Sequence, residues 1–126
     1  MRRRLLLPVL ALLASLTLVA PGCLSPTLPL PPPDVPSTIT AGAAGTWDVF
    51  GACTPGARVT VFNERTGAGV VIEDRAGSGR YHVMIAGAQC DVAWVIEEVD
   101  SDRSAPTTFV LAPRGPGEPA DNPLCH

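Results

Sequence analysis

Hydrophobic and polar residues alternate with a period of two through the central part of the chain, about residues 37–112. Between Arg80 and Ala86, for example, the bulky side chains of Tyr81, Val83 and Ile85 occupy every second position. Alternation of this kind predicts β-strands with one buried face and one wetter face. The pattern predicts seven strands, which are Ser37–Thr40, Thr46–Ala52, Arg58–Asn63, Gly69–Glu73, Arg80–Ala86, Asp91–Val99 and Thr107–Ala112.

The breaks between these strands have the composition of tight turns. Pro55 presets φ and Gly56 accepts a positive φ, so Thr54–Ala57 suits a type II turn. Segments 63–67 and 74–79 have the length of hairpin loops and contain glycine. No stretch of ten residues keeps a helical spacing without Gly, Pro or a β-branched run. We therefore predict an all-β fold, a small antiparallel two-sheet sandwich of about seven strands.

Residues 1–22 follow a different pattern, with a basic start at Arg2, Arg3 and Arg4 and then an apolar run from Leu5 to Ala20. The run is shorter than the roughly 20 apolar residues that cross a bilayer. Basic residues before a short apolar stretch are typical of a cleaved export signal, because the positive end stays on the cytoplasmic side. The sequence thus predicts a signal peptide over residues 1–22.

The residues that follow the apolar run, Ala20-Pro21-Gly22-Cys23, resemble the lipobox of bacterial lipoproteins. Gly22 and Cys23 match that motif, whereas Ala20 stands where leucine is usual. The resemblance implies that Cys23 is acylated and becomes the mature N-terminus, which tethers the protein to the outer membrane or the cell surface. The alternative is that Cys23 follows an ordinary signal and joins a disulfide.

Two further segments lack alternation. Residues 23–36 are rich in proline after Cys23, which favours an extended polyproline II linker that holds the domain away from the membrane. The rival interpretation is a proline-rich ligand for an aromatic groove. Residues 113–126 form a Pro- and Gly-rich tail. The predicted organisation is a signal at 1–22, a lipidated linker at 23–36, the sandwich at 37–112 and a tail at 113–126.

The charge balance narrows the class of partner. All nine basic residues are arginines and three of them lie in the signal, so six arginines remain against twelve acidic residues, a formal net charge of −6. This balance argues against nucleic acid as a partner and against adhesion to anionic headgroups by charge. The predicted partners are the membrane, through the lipid at Cys23, and another protein of the cell envelope.

The stretch VFGACTPGARVTVFNERTGAGVVIEDRAGSGRYHVMIAGAQCDVAWVIEEVDSD resembles bacterial Ig-like and carboxypeptidase-regulatory-like sandwich domains. The matching positions are turn and core residues, namely Pro55, Gly56, Ala57, Val59, Val61, Asp74, Gly79 and Tyr81. The resemblance implies an Ig-like or transthyretin-like sandwich. It implies no particular function, because such sandwiches host many unrelated roles.

Residues suited to catalysis are few. His82 and His126 are the only histidines, and no serine stands in a Gly-x-Ser-x-Gly elbow. We expect His82 on the outer face of its strand. Transthyretin-like hydrolases share a related sandwich, but their catalytic histidines and tyrosine-rich C-terminal motif have no counterparts here. The sequence predicts no enzyme, no catalytic residue and no cofactor.

The acidic residues Glu97, Glu98, Asp100 and Asp102 form the densest charge cluster. Calcium takes six to eight oxygen ligands, and carboxylates in a sandwich loop supply some of them. The spacing departs from an EF-hand loop, so we interpret the cluster as a solvated loop and assign no metal site. Whether this loop binds calcium stays open at the level of sequence.

The large aromatic residues separate two functional hypotheses. Trp94 lies among apolar neighbours, which predicts a core position, whereas Trp47 is undecided between core and surface. The first hypothesis is an interaction or structural module that docks to an envelope component through a sheet face or edge strand. The alternative is a module that binds a glycan or small ligand through Trp47 or Tyr81.

The strand count also predicts a disulfide. If Cys23 is acylated, Cys53, Cys90 and Cys125 remain. Three strands separate Cys53 from Cys90, which places them at opposite ends of the sandwich, whereas two strands return the chain from Cys90 to the tail at the same end. Because a bridge requires a Cα separation below about 7 Å, we expect Cys90 to pair with Cys125 and Cys53 to remain a thiol. An error of one strand would favour Cys53 with Cys90 instead.

Overall fold

The computed structural model of the protein describes residues 28–120 and 122–125. These residues form two antiparallel sheets and contain no α-helix, which confirms the predicted all-β sandwich. The strands are β1 (Thr38–Ala41), β2 (Thr46–Ala52), β3 (Arg58–Asn63), β4 (Gly69–Glu73), β5 (Arg80–Ala86), β6 (Val92–Val99), β7 (Asp102–Arg103) and β8 (Thr107–Val110).

One sheet has three strands in the order β1-β2-β5. The other begins with β4-β3-β6, and both β7 and β8 pair with the far side of β6. The chain therefore changes sheet after β2, after β4 and after β5. Strands β4 and β5 are edge strands of the two different sheets.

Four strands have the bounds that the alternation predicts, and the others differ at their ends. The sixth strand begins at Val92 because the N–H of Asp91 bonds to the Ala88 carbonyl in a turn. The last strand ends at Val110 because the N–H of Ala112 turns back to the Val110 carbonyl. The two-residue strand β7 has no alternation of its own, and it forms by pairing with the end of β6.

The core lies between the sheets and consists of every second residue of the longer strands. Strand β5 shows this most clearly, since exposed and buried residues alternate along its whole length. The buried cluster contains Ile39, Trp47, Val49, Val59, Val61, Tyr81, Val83, Ile85, Ala93, Val95, Phe109 and Leu111.

The end of the proline-rich segment packs further into the domain than its composition indicates. Pro36 is fully buried, Val35 packs against the core, and the Thr107 hydroxyl donates a hydrogen bond to the Pro33 carbonyl. A buried proline ring adds apolar area without leaving an N–H to satisfy, so proline is well suited to this position. The packed part of the chain thus begins before residue 37.

The residues after Ala112 also contact the sandwich. Ile39 and Arg114 exchange two backbone hydrogen bonds of 3.0 and 2.9 Å, which continues the three-stranded sheet beyond β1. The Arg114 guanidinium then donates to the Glu118 carbonyl at 2.8 Å. A short 3-10 turn at Pro123–Cys125 ends the described segment.

In the part of the chain that the structure describes, no helix is long and apolar enough to cross a membrane. The predicted signal and the lipidation site at Cys23 lie outside the described residues.

Candidate interaction surface

The outer face of the five-stranded sheet carries a pair of aromatic side chains. Phe62 on β3 lies directly opposite Trp94 on β6, and their ring centroids are 4.9 Å apart with an interplanar angle of 30°. Val61 and Val95 point into the core, so their chain neighbours Phe62 and Trp94 point outward. Both aromatic side chains are half-buried.

Aliphatic side chains extend this pair into a patch that we call the aromatic face, consisting of Phe62, Val71, Val92, Trp94 and Ile96. Val71 on the edge strand β4 is 61% exposed and Val92 is 38% exposed. Ile96 points to the same side but is covered by its neighbours. The outer face of this sheet is therefore largely apolar where a sandwich sheet usually meets water, with Thr60 and Thr108 as its polar residues next to the apolar ones.

Charged residues border the aromatic face along one side. Arg58, Glu98 and Arg103 lie side by side on β3, β6 and β7. Glu98 Oε2 lies 3.8 Å from Arg58 Nη1, and its Oε1 lies 3.7 Å from Arg103 Nε. An apolar centre with a charged border is the common arrangement of residues in protein–protein interfaces.

The outer face of the three-stranded sheet carries a different aromatic arrangement. Phe50 and His82 lie opposite each other on β2 and β5, and their rings stack in parallel with centroids 4.1 Å apart. The His82 Nε2 atom lies 2.7 Å from Asp48 Oδ1. His82 thus occupies the outer position that the alternation predicts.

The two aromatic residues of the alternative hypothesis, Trp47 and Tyr81, are both in the core. Trp47 is 6% exposed and its indole N–H donates to the Gly87 carbonyl at 3.1 Å, while Tyr81 is 4% exposed. Neither ring offers a face to solvent. The expectation that Trp47 or Tyr81 forms an exposed binding platform is therefore wrong.

The expectation for Trp94 is also wrong, because its side chain lies on the outer face and not in the core. The first five residues of strand β6 are all apolar, so their sequence does not distinguish the inner face from the outer one. The pairing with β3 decides the orientation, since a shift of one residue would reverse every side chain. The sequence does hold one sign of this face, which is an apolar residue at an outer position of three neighbouring strands: Phe62, Val71 and Trp94.

The predicted acidic cluster does not converge on one point. Glu97 is buried, and its carboxylate accepts hydrogen bonds from the Thr54 N–H and hydroxyl at 2.8 and 2.9 Å. Glu98 points to the other side of β6, toward the two arginines of the border. Within residues 28–120 and 122–125, no group of three or more His, Cys, Asp or Glu side chains is placed to hold a metal ion.

Asp74 links the turn before β3 to the loop before β5 by hydrogen bonds. Its carboxylate accepts the backbone N–H groups of Gly79, Ser78 and Gly56 at 2.7, 2.9 and 3.2 Å. These hydrogen bonds lower the pKa of Asp74 from 3.8 to about 2, and the bonds from Gly79 and Ser78 have the largest effect. Such a carboxylate stays ionised and has a structural role.

Asp91 has a similar role at the other end of the sandwich. The Arg65 guanidinium donates to its carboxylate, one bond being 2.8 Å from Nη2, and the Asn63 amide and the Ala88 N–H donate at 2.9 and 2.8 Å. The hydrogen bond from Arg65, followed by those from Asn63 and Ala88, lowers the pKa of Asp91. Sequence reasoning did not single out this residue, because Asn63 and Arg65 come from the end of β3 and the turn after it, more than 25 residues earlier in the chain.

The cysteines follow the arrangement that the strand count predicts. Cys90 and Cys125 form a disulfide with a Cα separation of 5.3 Å. Cys53 follows the end of β2 that pairs with the start of β5, whereas Cys90 follows the end of β5. The two cysteines therefore lie at opposite ends of the sandwich. Within the described residues Cys53 forms no disulfide, and burial, with Asp74 and Glu97 nearby, raises the pKa of its thiol.

Comparisons of the chain with protein-family models, with curated proteins and with solved structures find no match. The functional interpretation therefore depends on the surfaces described above.

Proposed function

We propose that this protein is a non-enzymatic lipoprotein of the bacterial cell envelope, tethered to a membrane through Cys23, whose β-sandwich binds another envelope protein through the aromatic face. The observation that carries the proposal is the half-buried Phe62–Trp94 pair beside Val71, which is 61% exposed on the same face. A few residues, among which Trp, Tyr and Arg are enriched, supply most of the binding energy in protein interfaces.

The neighbours of the aromatic pair favour a protein as the partner. Val71 and Val92 add exposed aliphatic surface near the rings, and the neighbouring Thr60 and Thr108 supply only hydroxyl groups for hydrogen bonds to a sugar. The charged border of Arg58, Glu98 and Arg103 carries both signs and suits a rim that fixes the orientation of a protein partner. An apolar outer face of this kind, contiguous over three strands, is a common mark of an interaction site.

The proposed tether is supported by the N-terminal pattern and by the linker. The basic start, the short apolar run and Gly22-Cys23 are the features of a lipoprotein signal. Leu28 is 88% exposed, whereas the chain is packed from Pro33 onward. An extended proline-rich linker between Cys23 and Pro33 would span roughly 30 Å, enough to hold the domain clear of lipid headgroups.

Affinity capture tests the proposed partner. The tagged full chain is purified from detergent-solubilised envelopes of producing cells, as wild type, as the Phe62→Thr/Trp94→Thr double variant, and as Met84→Thr. Met84 is a matched control because it is 54% exposed on the opposite sheet. We expect one envelope protein, identified by mass spectrometry, to co-purify with wild type and Met84→Thr and to be lost from the double variant.

Recovery of the same proteins with all three forms would contradict the proposal, as would self-association of the chain that the double variant abolishes. The tether is tested separately by the intact mass of the mature protein. An acylated N-terminal Cys23 is expected, and a soluble product that starts at another residue would refute it.

A further inference from the structure

The outer face of the three-stranded sheet forms a second surface, which faces away from the aromatic face. Its centre is the parallel stack of Phe50 and His82, with an interplanar angle of 4°. Asp48 holds the imidazole in place through a contact of 2.7 Å. The two rings therefore hold each other in a fixed orientation and each covers one face of the other, with Phe50 about 37% exposed and the His82 side chain about half exposed.

Arg80 lies on the same face of β5, two residues before His82. It differs from the other arginines of the described segments, whose guanidinium groups are already engaged within the chain. Those other arginines are Arg58, Arg65, Arg75 and Arg103, which pair with carboxylates, and Arg114, which donates to a backbone carbonyl. Among the described residues, the Arg80 guanidinium has no carboxylate or hydrogen-bond partner. A cation without an internal partner is available to a ligand.

Two shallow cavities meet at Arg80 and His82. The first has a volume of about 550 Å³ and is also lined by Ser37 and Phe50. The second has a volume of about 400 Å³ and is also lined by Ile72, Glu73 and Asp74. Both carboxylates are already engaged, Glu73 by Arg75 and Asp74 by backbone N–H groups. Because β5 is an edge strand, the cavities follow one another across the edge of the sheet. The arrangement suits an elongated ligand of two or more rings lying on the surface.

We propose that this surface binds a saccharide that carries a carboxylate. The apolar face of a sugar ring would lie against the exposed part of the Phe50–His82 stack, and the carboxylate would accept two parallel N–H bonds from Arg80. The net charge of −6 after the signal disfavours a polyanion, so the ligand has isolated carboxylates and is neither a nucleic acid nor a uniformly charged polymer.

Calorimetric titration of the full chain in detergent micelles tests this site with two matched sugars. The first is the disaccharide glucuronyl-glucose, and the second is cellobiose, which lacks the carboxylate. We expect glucuronyl-glucose to bind up to about fivefold more tightly, since an exposed ion pair contributes at most about 1 kcal/mol. Arg80→Gln should abolish the difference, and Phe50→Thr should weaken the binding of both sugars.

Glu64→Gln, an exposed position at the other end of the sandwich, is the control and should bind like wild type. Phe50 and Arg80 are exposed, so their substitution should leave the fold intact. An unchanged circular dichroism spectrum will show that each variant is folded. If Phe50→Thr is not folded, His82→Gln takes its place. Equal affinity for the two sugars, a preference that survives Arg80→Gln, or no binding at millimolar sugar would overturn the proposal. None of these results bears on the aromatic face, whose residues are unchanged.

Discussion

The phenol ring of Tyr81 lies directly over Gly51, its partner on the neighbouring strand. A Cβ atom added at residue 51 would be 2.4 Å from the ring carbon Cζ and from the hydroxyl oxygen. Both residues are buried, so the ring would have to shift from its place in the core to make room for that atom. The absence of a side chain at Gly51 is therefore what allows the only tyrosine of the chain to fill this end of the core.

Gly51→Ala is accordingly expected to lower the free energy of unfolding by about 1–3 kcal/mol, the usual cost of overpacking a core. Urea denaturation measures the change. Gly115→Ala is the matched control, because a Cβ atom there would be no closer than 3.7 Å to its neighbours. Equal stability of the two variants would show that the Tyr81 ring shifts without cost.

Tyr81→Phe tests the hydroxyl group of the same ring. Burial, together with Cys53 and Glu97 nearby, raises the pKa of Tyr81, and the hydroxyl has no hydrogen-bond partner among the described residues. Removing an unsatisfied buried hydroxyl removes a desolvation cost, so the variant should be as stable as wild type or more stable, by up to about 1 kcal/mol. A clear loss of stability in the same denaturation assay would mean that the hydroxyl is satisfied.

The stability of the protein should fall in acid because of Asp74 and Asp91. Their pKa values are lower in the folded protein than in the unfolded chain, that of Asp74 being about 2. The stabilisation is complete above the unfolded value of about 4 and is lost as the pH falls through the folded value. Asp74→Asn should flatten the dependence of the urea midpoint on pH between 4 and 2, whereas the exposed Asp102→Asn should leave it unchanged. A pH profile of Asp74→Asn that runs parallel to the wild-type profile would be inconsistent with this account.

The Cys90–Cys125 disulfide closes a loop of 35 residues and should stabilise the fold by roughly 2–4 kcal/mol. We expect the Cys90→Ser/Cys125→Ser variant to unfold at lower urea concentration than the oxidised wild type and at the same concentration as the reduced wild type. Non-reducing peptide mapping should find one linked pair of peptides that contains Cys90 and Cys125. A linked pair containing Cys53 and Cys90 would refute the pairing.

The strands were predictable from sequence wherever one face is buried and the other is wet. In β5 the alternation of Tyr81, Val83 and Ile85 with exposed residues fixes both the strand and its orientation. In β6 the apolar residues continue on both faces, so Trp94 was assigned to the core from its neighbours alone. Its true position depends on the register with β3, which is a long-range property of the chain.

The candidate surfaces were harder to predict for the same reason. The aromatic face combines Phe62, Val71 and Trp94 from three strands, and none of these residues belongs to a sequence motif. Phe50 and His82 meet only through the pairing of β2 with β5. The burial of Pro36 was likewise unexpected, because composition alone indicates a linker there.

The proposed recognition of an envelope protein is tested most directly by photo-crosslinking in producing cells. A benzophenone-bearing amino acid replaces Val71 on the aromatic face or, as the control, Met84 on the opposite sheet; both positions are more than half exposed. We predict that the variant with the crosslinker at position 71 forms a discrete adduct with one envelope protein. The variant with the crosslinker at position 84 should form no adduct of the same mass. The absence of an adduct at position 71, or the same adducts from both positions, would contradict the account.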